Sequence, residues 1–266
     1  GIFHMGHAAF YVVGAYVTAI LNTMFHWSIF WTMPVAGFAA ALVALVVARP
    51  IIHLRGDYLL IVTIGIVEIV RIALTNDIGG ITGGSNGIFG IARPRFFGFR
   101  IVKSIQFYYL VWGMCGATIL LFHCLWHSRI GRALNYIKED DVAAEACGVN
   151  VTHYKLMAFV LGAFWAGMAG TLYAAKMTTI APASFNFMES VISFAVVILA
   201  GGSQLGVLVS AFLFIGLPEL LRGFSSARML FFGAAMMIMM VWRPQGLMPP
   251  RQRRYRIPDP GTEERS

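Results

Sequence analysis

Residues 28–48 hold no charged side chain, and seven more stretches of similar apolar character are spaced along the chain. A helix needs about 20 predominantly apolar residues to cross hydrocarbon, within a working range of roughly 17–25. The candidates are 8–25, 28–48, 58–76, 105–126, 156–178, 187–201, 204–221 and 227–242. Composition agrees: 58% of residues are hydrophobic and only 12% are charged, and the mean hydropathy is +0.73. Soluble domains carry roughly 25% charged residues, so a single soluble core of this length would lack the polar surface to cover itself. The expected fold is all-α, a polytopic bundle of transmembrane helices with about eight spans.

The segment 187–201 is short, contains Glu189 and ends at Gly201-Gly202-Ser203. It reads as a half-inserted helix or as one arm of a tight pair with 204–221, because irregular backbone at membrane depth must line a cavity rather than face lipid. The transmembrane domain is expected over 1–248, with a polar loop at 128–155. Residues 249–266, rich in Arg and Pro, are expected to form a basic, poorly ordered tail.

Basic residues set the orientation. With the tail inside, the loops at 49–57 and 127–155 share its side, which then holds Arg49, Arg55, Arg129, Arg132, Lys138, Lys155, Arg243, Arg251, Arg253, Arg254, Arg256 and Arg265. The other side holds Arg93, Arg95, Arg100, Lys103, Arg222 and Arg228. Twelve against six favours a cytoplasmic C-terminus by the positive-inside rule. The net charge of +8 therefore reports topology and contact with anionic lipid, and no nucleic-acid partner is expected. The chain opens Gly1-Ile2-Phe3-His4 without an initiator Met or signal peptide, which reads as a truncated start. Cys115, Cys124 and Cys147 do not suggest a disulfide framework.

The glycine cluster from Gly79 to Gly90 is not a phosphate loop, since no Gly-Lys-Ser/Thr closes it and no strand leads into it. Two readings remain: a flexible external turn, or a compact element whose backbone groups face a water-filled vestibule. Just before it, Glu68 and Arg71 lie three residues apart inside a span, on one helix face. Ionisable groups at that depth are costly and mark pathways by default, although a mutually satisfied pair also serves to weld helices. The seven histidines show no zinc-protease spacing; a zinc site needs three or four convergent ligands. No nucleophile-and-base arrangement is visible either. The chain is expected to be no enzyme and to hold no cofactor or metal.

The loop Lys138-Glu139-Asp140-Asp141-Val142-Ala143-Ala144-Glu145-Ala146-Cys147-Gly148 reads as a short helix. Asp140 or Asp141 caps its start and Gly148 stops it. A helix lying on lipid carries large apolar anchors and basic flanks, whereas this one is Ala-rich and acidic. Small residues let another helix or a groove approach closely, so a protein partner is expected.

These pieces in order resemble the permease subunits of branched-chain amino acid ABC importers. The likeness runs through Gly6-His7-Ala8-Ala9-Phe10, Gly14-Ala15-Tyr16, Glu68-Ile69-Val70-Arg71 and Thr82-Gly83-Gly84-Ser85-Asn86-Gly87. It continues through Asp140 to Asn150, Tyr154-Lys155, Leu217-Pro218-Glu219-Leu220-Leu221-Arg222 and Arg243-Pro244-Gln245-Gly246-Leu247. The resemblance implies a multi-pass permease of the bacterial inner membrane, with a path at the interface with a second homologous permease. It implies two cytoplasmic ABC ATPase subunits, which hydrolyse the ATP, and a periplasmic solute-binding protein. Glu68, Arg71, Thr82, Gly83, Gly84, Ser85, Asn86 and Gly87 become substrate-path candidates; Asp141, Ala143, Ala144, Glu145 and Gly148 become the ATPase-coupling helix. The general coupling signature begins Glu-Ala-Ala and has Gly four positions after the second Ala. Ala143, Ala144 and Gly148 fit it, but Val142 stands at the Glu position, leaving Asp141 or Glu145 to supply the acid. Family members also carry apolar spans ahead of the Gly6 stretch, and after Gly201-Gly202 this chain is leaner in Gly and Pro. Relatives of this kind serve amides, urea and aromatic acids as well, and the alternative reading is a simple-sugar or urea/amide ABC permease of similar architecture. An ATPase-independent carrier or an intramembrane enzyme would instead need convergent buried carboxylates or histidines.

Overall fold

The computed structural model describes residues 4–216 apart from 55, 97, 98 and 102, together with 233 and 237. It divides into two units, 1–193 and 194–266. In the first lie α1 (His7–Phe25), α2 (Ile29–Ile51), α3 (Asp57–Thr75), α4 (Ser104–His127), α5 (Arg129–Glu139), α6 (Asp141–Ala146) and α7 (Val151–Met177). Helix α8 (Phe187–Ala200) leads into the second unit, which contains α9 (Gln204–Ala211) followed by widened helical turns over Phe212–Gly216. Among the described residues six helices are long and apolar enough to cross a membrane, the sixth being Pro182–Ala200. The expected all-helical membrane bundle is what the chain forms. Apart from 233 and 237, the span at 227–242 lies outside the described residues, as do the end of 204–221 and the tail 249–266.

Two boundaries differ from the hydropathy pattern. Helix α2 runs on to Ile51, and α7 starts at Val151 rather than 156. The second shift has a local cause: the Asn150 side-chain oxygen accepts the His153 N–H at 3.0 Å, which caps the helix five residues ahead of its apolar stretch. The first turn of α7 is thus polar, and His153 and Lys155 ride on a continuous helix.

The core of the first unit is the trio α1, α2 and α7, joined by small residues. Ala36, Ala40, Ala44 and Ala48 recur every fourth position on α2 and are fully buried. A Cβ on Gly14 would overlap the Gly167 backbone, and one on Gly170 would overlap the Tyr11 carbonyl. In lipid, apolar burial gives helices no reason to associate, so close backbone approach and interhelical hydrogen bonds must hold them. Thr18 and Thr171 provide one such bond, with their buried hydroxyls 2.8 Å apart. Helix α3 leans on this trio through Val67, packed on Ala8 and Ala9, and through Thr63, whose hydroxyl accepts the Met5 N–H at 3.1 Å. Helix α4 is the exception. None of its residues is buried, and it meets α7 through a Phe122–Trp165 ring contact at 6.1 Å.

In the second unit the helical chain doubles back. Gly201 and Gly202 take left-handed φ values of 70° and 85°, and Val196 and Leu199 pack on Phe214, with Val207 and Ala211 beside them. Over its described part, 204–216, the second arm packs back on α8 as a helical pair.

Candidate functional site

The polar segments gather at two opposite ends of the first unit. At one end the C-termini of α1, α3 and α7 meet the glycine-rich segment. At the other, α5 and α6 cover the start of α7, near the α2–α3 turn, where Ile51, Leu59 and Phe159 share one apolar cluster.

The glycine-rich end is a compact structure. Asp77 ends α3 in a left-handed conformation, φ 50°, and its carboxylate collects three donors. The Thr82 N–H at 2.9 Å, the Gly83 N–H at 3.0 Å and the Thr82 hydroxyl at 3.0 Å all point to Oδ1. Thr82 is buried, and its hydroxyl also lies 3.2 Å from the Leu74 carbonyl, which accepts the Asp77 N–H as well, at 3.3 Å. Gly84, Ser85 and Asn86 then form a single 3₁₀ turn flanked by Gly83 and Gly87, at φ 72° and 77°. A side chain on Gly87 would collide with the Ile180 carbonyl. Ile88 and Phe89 (β1) pair antiparallel with Ile180 and Thr179 (β4, Thr179–Ile180). A second two-residue hairpin follows, β2 (Arg95–Phe96) with β3 (Phe99–Arg100). The Asn22 side-chain oxygen accepts the Ala92 N–H at 2.7 Å, tying the segment to the end of α1. These bonds tether the segment to the ends of α1 and α3 and to β4. Ser85 and Asn86 are exposed, while Gly84 and Gly87 are buried.

Glu68 and Arg71 stand one to two turns below, on α3. Arg71 Nε donates to both Glu68 carboxylate oxygens at 3.1 Å, and a terminal guanidinium nitrogen donates to Oε1. The pair is only half covered, with side-chain exposures of 45% for Glu68 and 34% for Arg71. Leu59, Thr63, Val67 and Leu74 are the buried residues of α3, and Arg71, one turn from both Val67 and Leu74, borders that stripe. The two groups of path candidates therefore occupy successive turns at one end of α3.

At the other end, α5 and α6 form a bracket. Ser128 caps α5, its hydroxyl accepting the Gly131 N–H at 3.3 Å. The Asp140 carboxylate caps α6, accepting from the Val142 N–H at 2.8 Å and the Ala143 N–H at 3.1 Å. Gly148 stops it in the left-handed region, φ 81°, donating its N–H to Glu145 at 2.9 Å. Ala144 is the one buried residue of α6, inserted between Ile137 of α5 and Val151 of α7. Asp141 turns the same way, its carboxylate 2.5 Å from Lys155 Nζ on α7. Val142, Ala143, Glu145, Ala146, Cys147 and Gly148 are exposed. Of the five coupling-helix residues, Ala144 and Asp141 thus face inward, while Ala143, Glu145 and Gly148 stand on the open side.

Sequence reasoning missed three contributors. The amphipathic α5 is one, although Ser128 followed by Ile130, Ala133, Leu134 and Ile137 carries its signal of a cap and a helical period. The others are Asp77 and Asn22, single polar residues whose partners are set by tertiary structure. Among the described residues, no three metal-ligating side chains converge.

A model of the family described as branched-chain amino acid transport system / permease component matches residues 1–240. The chain belongs to that family. Across 275 aligned positions it is 39% identical to the high-affinity branched-chain amino acid transport system permease protein LivM of Salmonella typhimurium, covering 94% of this chain and 64% of that protein. The LivM protein of Escherichia coli gives the same identity and coverage. The LivH permease protein of Escherichia coli is 26% identical over 243 residues, 83% of this chain and 76% of that protein. The chain thus spans just under two thirds of the LivM relatives' length. No solved structure matches. With six apolar spans in the described residues, this member of the permease family is a multi-pass membrane protein.

Proposed function

We propose that the chain is a permease subunit of an ATP-driven importer that carries branched-chain amino acids into the cytoplasm. The observation that carries the proposal is α6: a capped, Ala-rich helix whose Val142, Ala143, Glu145 and Cys147 face outward at the end of the membrane body. It belongs to a family whose members include permease proteins of branched-chain amino acid transport. Two cytoplasmic ATPase subunits dock there, hydrolyse the ATP and drive alternating access. A second, homologous permease completes the path, and a periplasmic binding protein delivers the solute to the glycine-rich end. This reading puts the protein in the bacterial inner membrane with its C-terminus cytoplasmic, in line with the twelve-to-six bias of basic residues. Catalysis then belongs to separate chains, and this one needs no cofactor.

Gly148 gives the test. Its φ of 81° is closed to proline, whose ring fixes φ near −65° and removes the N–H. In the complete importer, Gly148→Pro should insert normally while ATP hydrolysis becomes uncoupled from leucine uptake. Normal uptake by that variant overturns the assignment of α6. Competition for uptake separates the substrate classes: leucine should compete, and ribose or urea should not.

A further inference from the structure

Helix α5 has two faces with different fates. Its apolar residues are taken up by the protein: Ala133 and Ile137 are buried, and Ile137 packs on Ala144 and Val151. The exposed face carries Arg129, Arg132 and Tyr136, three and four positions apart and so aligned along the helix. Among the described residues neither arginine has a carboxylate partner; the ion pairs there are Glu68–Arg71 and Lys155–Asp141. The corner that places this face is tightly built. Ser128 alone separates α4 from α5; its hydroxyl donates to the Leu125 carbonyl at 2.6 Å and accepts the Gly131 N–H at 3.3 Å. A Cβ on Gly131 would overlap the Leu125 and Trp126 carbonyls. Arg132 folds back across the corner and donates to the His127 carbonyl at 3.1 Å, while the Arg129 side chain takes no part in these bonds. The basic face thus begins within a turn of where a 24-residue apolar span ends. That is the level of phospholipid headgroups, and it is framed by exposed Trp126 and Tyr136, residue types that membrane–water interfaces favour.

We propose that the α4–α5 corner binds the headgroup of an anionic phospholipid, with Arg129 and Arg132 on its phosphate and Trp126 and Tyr136 beside it. Guanidinium forks match phosphate oxygens with paired hydrogen bonds, and the cytoplasmic leaflet attracts basic residues next to a span. The proposal takes the cytoplasmic orientation from the importer reading above but neither its substrate nor its ATPases. An acidic patch on a docking ATPase is the competing occupant. Position favours lipid: Arg132 is turned back toward the end of the span, and none of the residues of α4 is buried by the rest of the unit. Glu139, the one acid on this face, lies about two turns beyond Arg132. A bound headgroup fastens α5 to the bilayer surface. Through Ile137 and Ala144 it also gives α6 a fixed support beside α7.

The test purifies the full-length chain in its complete complex, strips loosely held lipid and titrates with phosphatidylglycerol or phosphatidylcholine, counting bound lipid by native mass spectrometry. The parent should hold phosphatidylglycerol in preference to phosphatidylcholine. Arg129→Gln combined with Arg132→Gln should lower the affinity for phosphatidylglycerol roughly thirtyfold, the effect of two basic groups near an anionic surface. Arg129→Lys with Arg132→Lys keeps the charge without the fork and should fall between. Lys138→Gln, on the opposite side of α5 from Arg129, should change the affinity by less than about twofold if the site is local. Equal retention of the two lipids by the parent overturns the site. So does a loss in Lys138→Gln as large as in the double variant, which would mean diffuse charge. Loss of ATPase co-purification with phosphatidylglycerol binding intact gives this face to the ATPase and overturns it as well. If the double variant fails to assemble, because Arg132 also ties the corner, Arg129→Gln decides: a drop of about fivefold is expected, and an unchanged affinity overturns the site. A complex that selects phosphatidylglycerol but imports no leucine defeats the importer reading and leaves the lipid site standing.

Discussion

The two ends of the first unit are held in opposite ways. At the glycine-rich end, Asp77, Thr82, Asn22 and the β1–β4 pairing fasten residues 77–92 to the ends of three different helices, and the backbone passes so close to Ile180 that position 87 admits no side chain. At the α6 end, a six-residue helix is held by one carboxylate cap, one buried alanine between two neighbours and one ion pair to α7. The first construction fixes a shape. The second leaves most of a helix surface open while connecting it to a transmembrane span, as expected of an element that receives a partner and passes on its motion. The contrast can be broken by substitution, and the expected effects differ in size and in what they disturb.

The largest effect is expected at Gly87. Gly87→Val places a branched side chain at φ 77° and against the Ile180 carbonyl. Left-handed strain of about 1–3 kcal/mol and an overpacking cost of similar size both apply. The variant should lose folded yield and thermal stability in detergent, whereas the same change at Gly90, with φ 78° but nothing within 4 Å, should be milder. Equal losses at both positions would mean that strain alone matters and that the contact with β4 does not.

Next comes the cap of α6. Asp140→Ala removes the acceptor for two backbone donors and should cost about 1 kcal/mol, seen as faster amide exchange through Val142–Ala146. Asp140→Asn, which keeps an acceptor, should retain most of the protection. If exchange is unchanged in Asp140→Ala, packing at Ala144 alone holds the helix, and the comparison between the two ends sharpens further.

A smaller effect is expected in the frame that both ends share. Thr18→Val deletes the hydroxyl bonded to Thr171 while keeping the shape. Interhelical hydrogen bonds in membranes average about 0.6 kcal/mol, so the melting shift should be barely measurable. A large shift would indicate that α1 and α7 depend on that bond more than on their glycine contacts.

How much of this was legible in the sequence follows the same division. The spans could be read because lipid imposes a length and a composition on them. Their ends were less legible: Asn150 starts α7 while the hydropathy signal is still silent, and Ser128 starts α5 within what reads as a polar loop. The α6 helix was visible through Asp140, its alanines and Gly148, since capping and stopping are local chemistry. The glycine-rich element was visible only as a concentration of glycines. That it is tethered to its neighbours depends on Asp77, Asn22 and Ile180, whose partners lie between five and 93 residues away, and no local pattern encodes such pairings. The Glu68–Arg71 pair was readable as a pair from its spacing. Which way it faces depends on which side of α3 meets α1, and only the packed structure gives that.

The smallest effect on stability should come from Lys155, and it probes the connection most directly. The Lys155–Asp141 pair is partly exposed, at 19% and 28%, and exposed or half-exposed pairs contribute about 0–1 kcal/mol after screening by water. Lys155→Met keeps most of the aliphatic stem and removes the charge, so the melting temperature should hardly move. Asp141 would then lose its partner on α7, leaving α6 held to that helix by Ala144 and the short link through Gly148. A cross-link between cysteines introduced at Ala144 and Val151 should form more slowly in Lys155→Met than in the parent, in a background where Cys147 is serine. High salt should slow the parent toward the variant, because the ion pair is screened. An unchanged cross-linking rate in Lys155→Met would show that the apolar contact of Ile137, Ala144 and Val151 sets the position of α6 unaided. The α6 end would then resemble the glycine-rich end more closely than its three fastenings suggest.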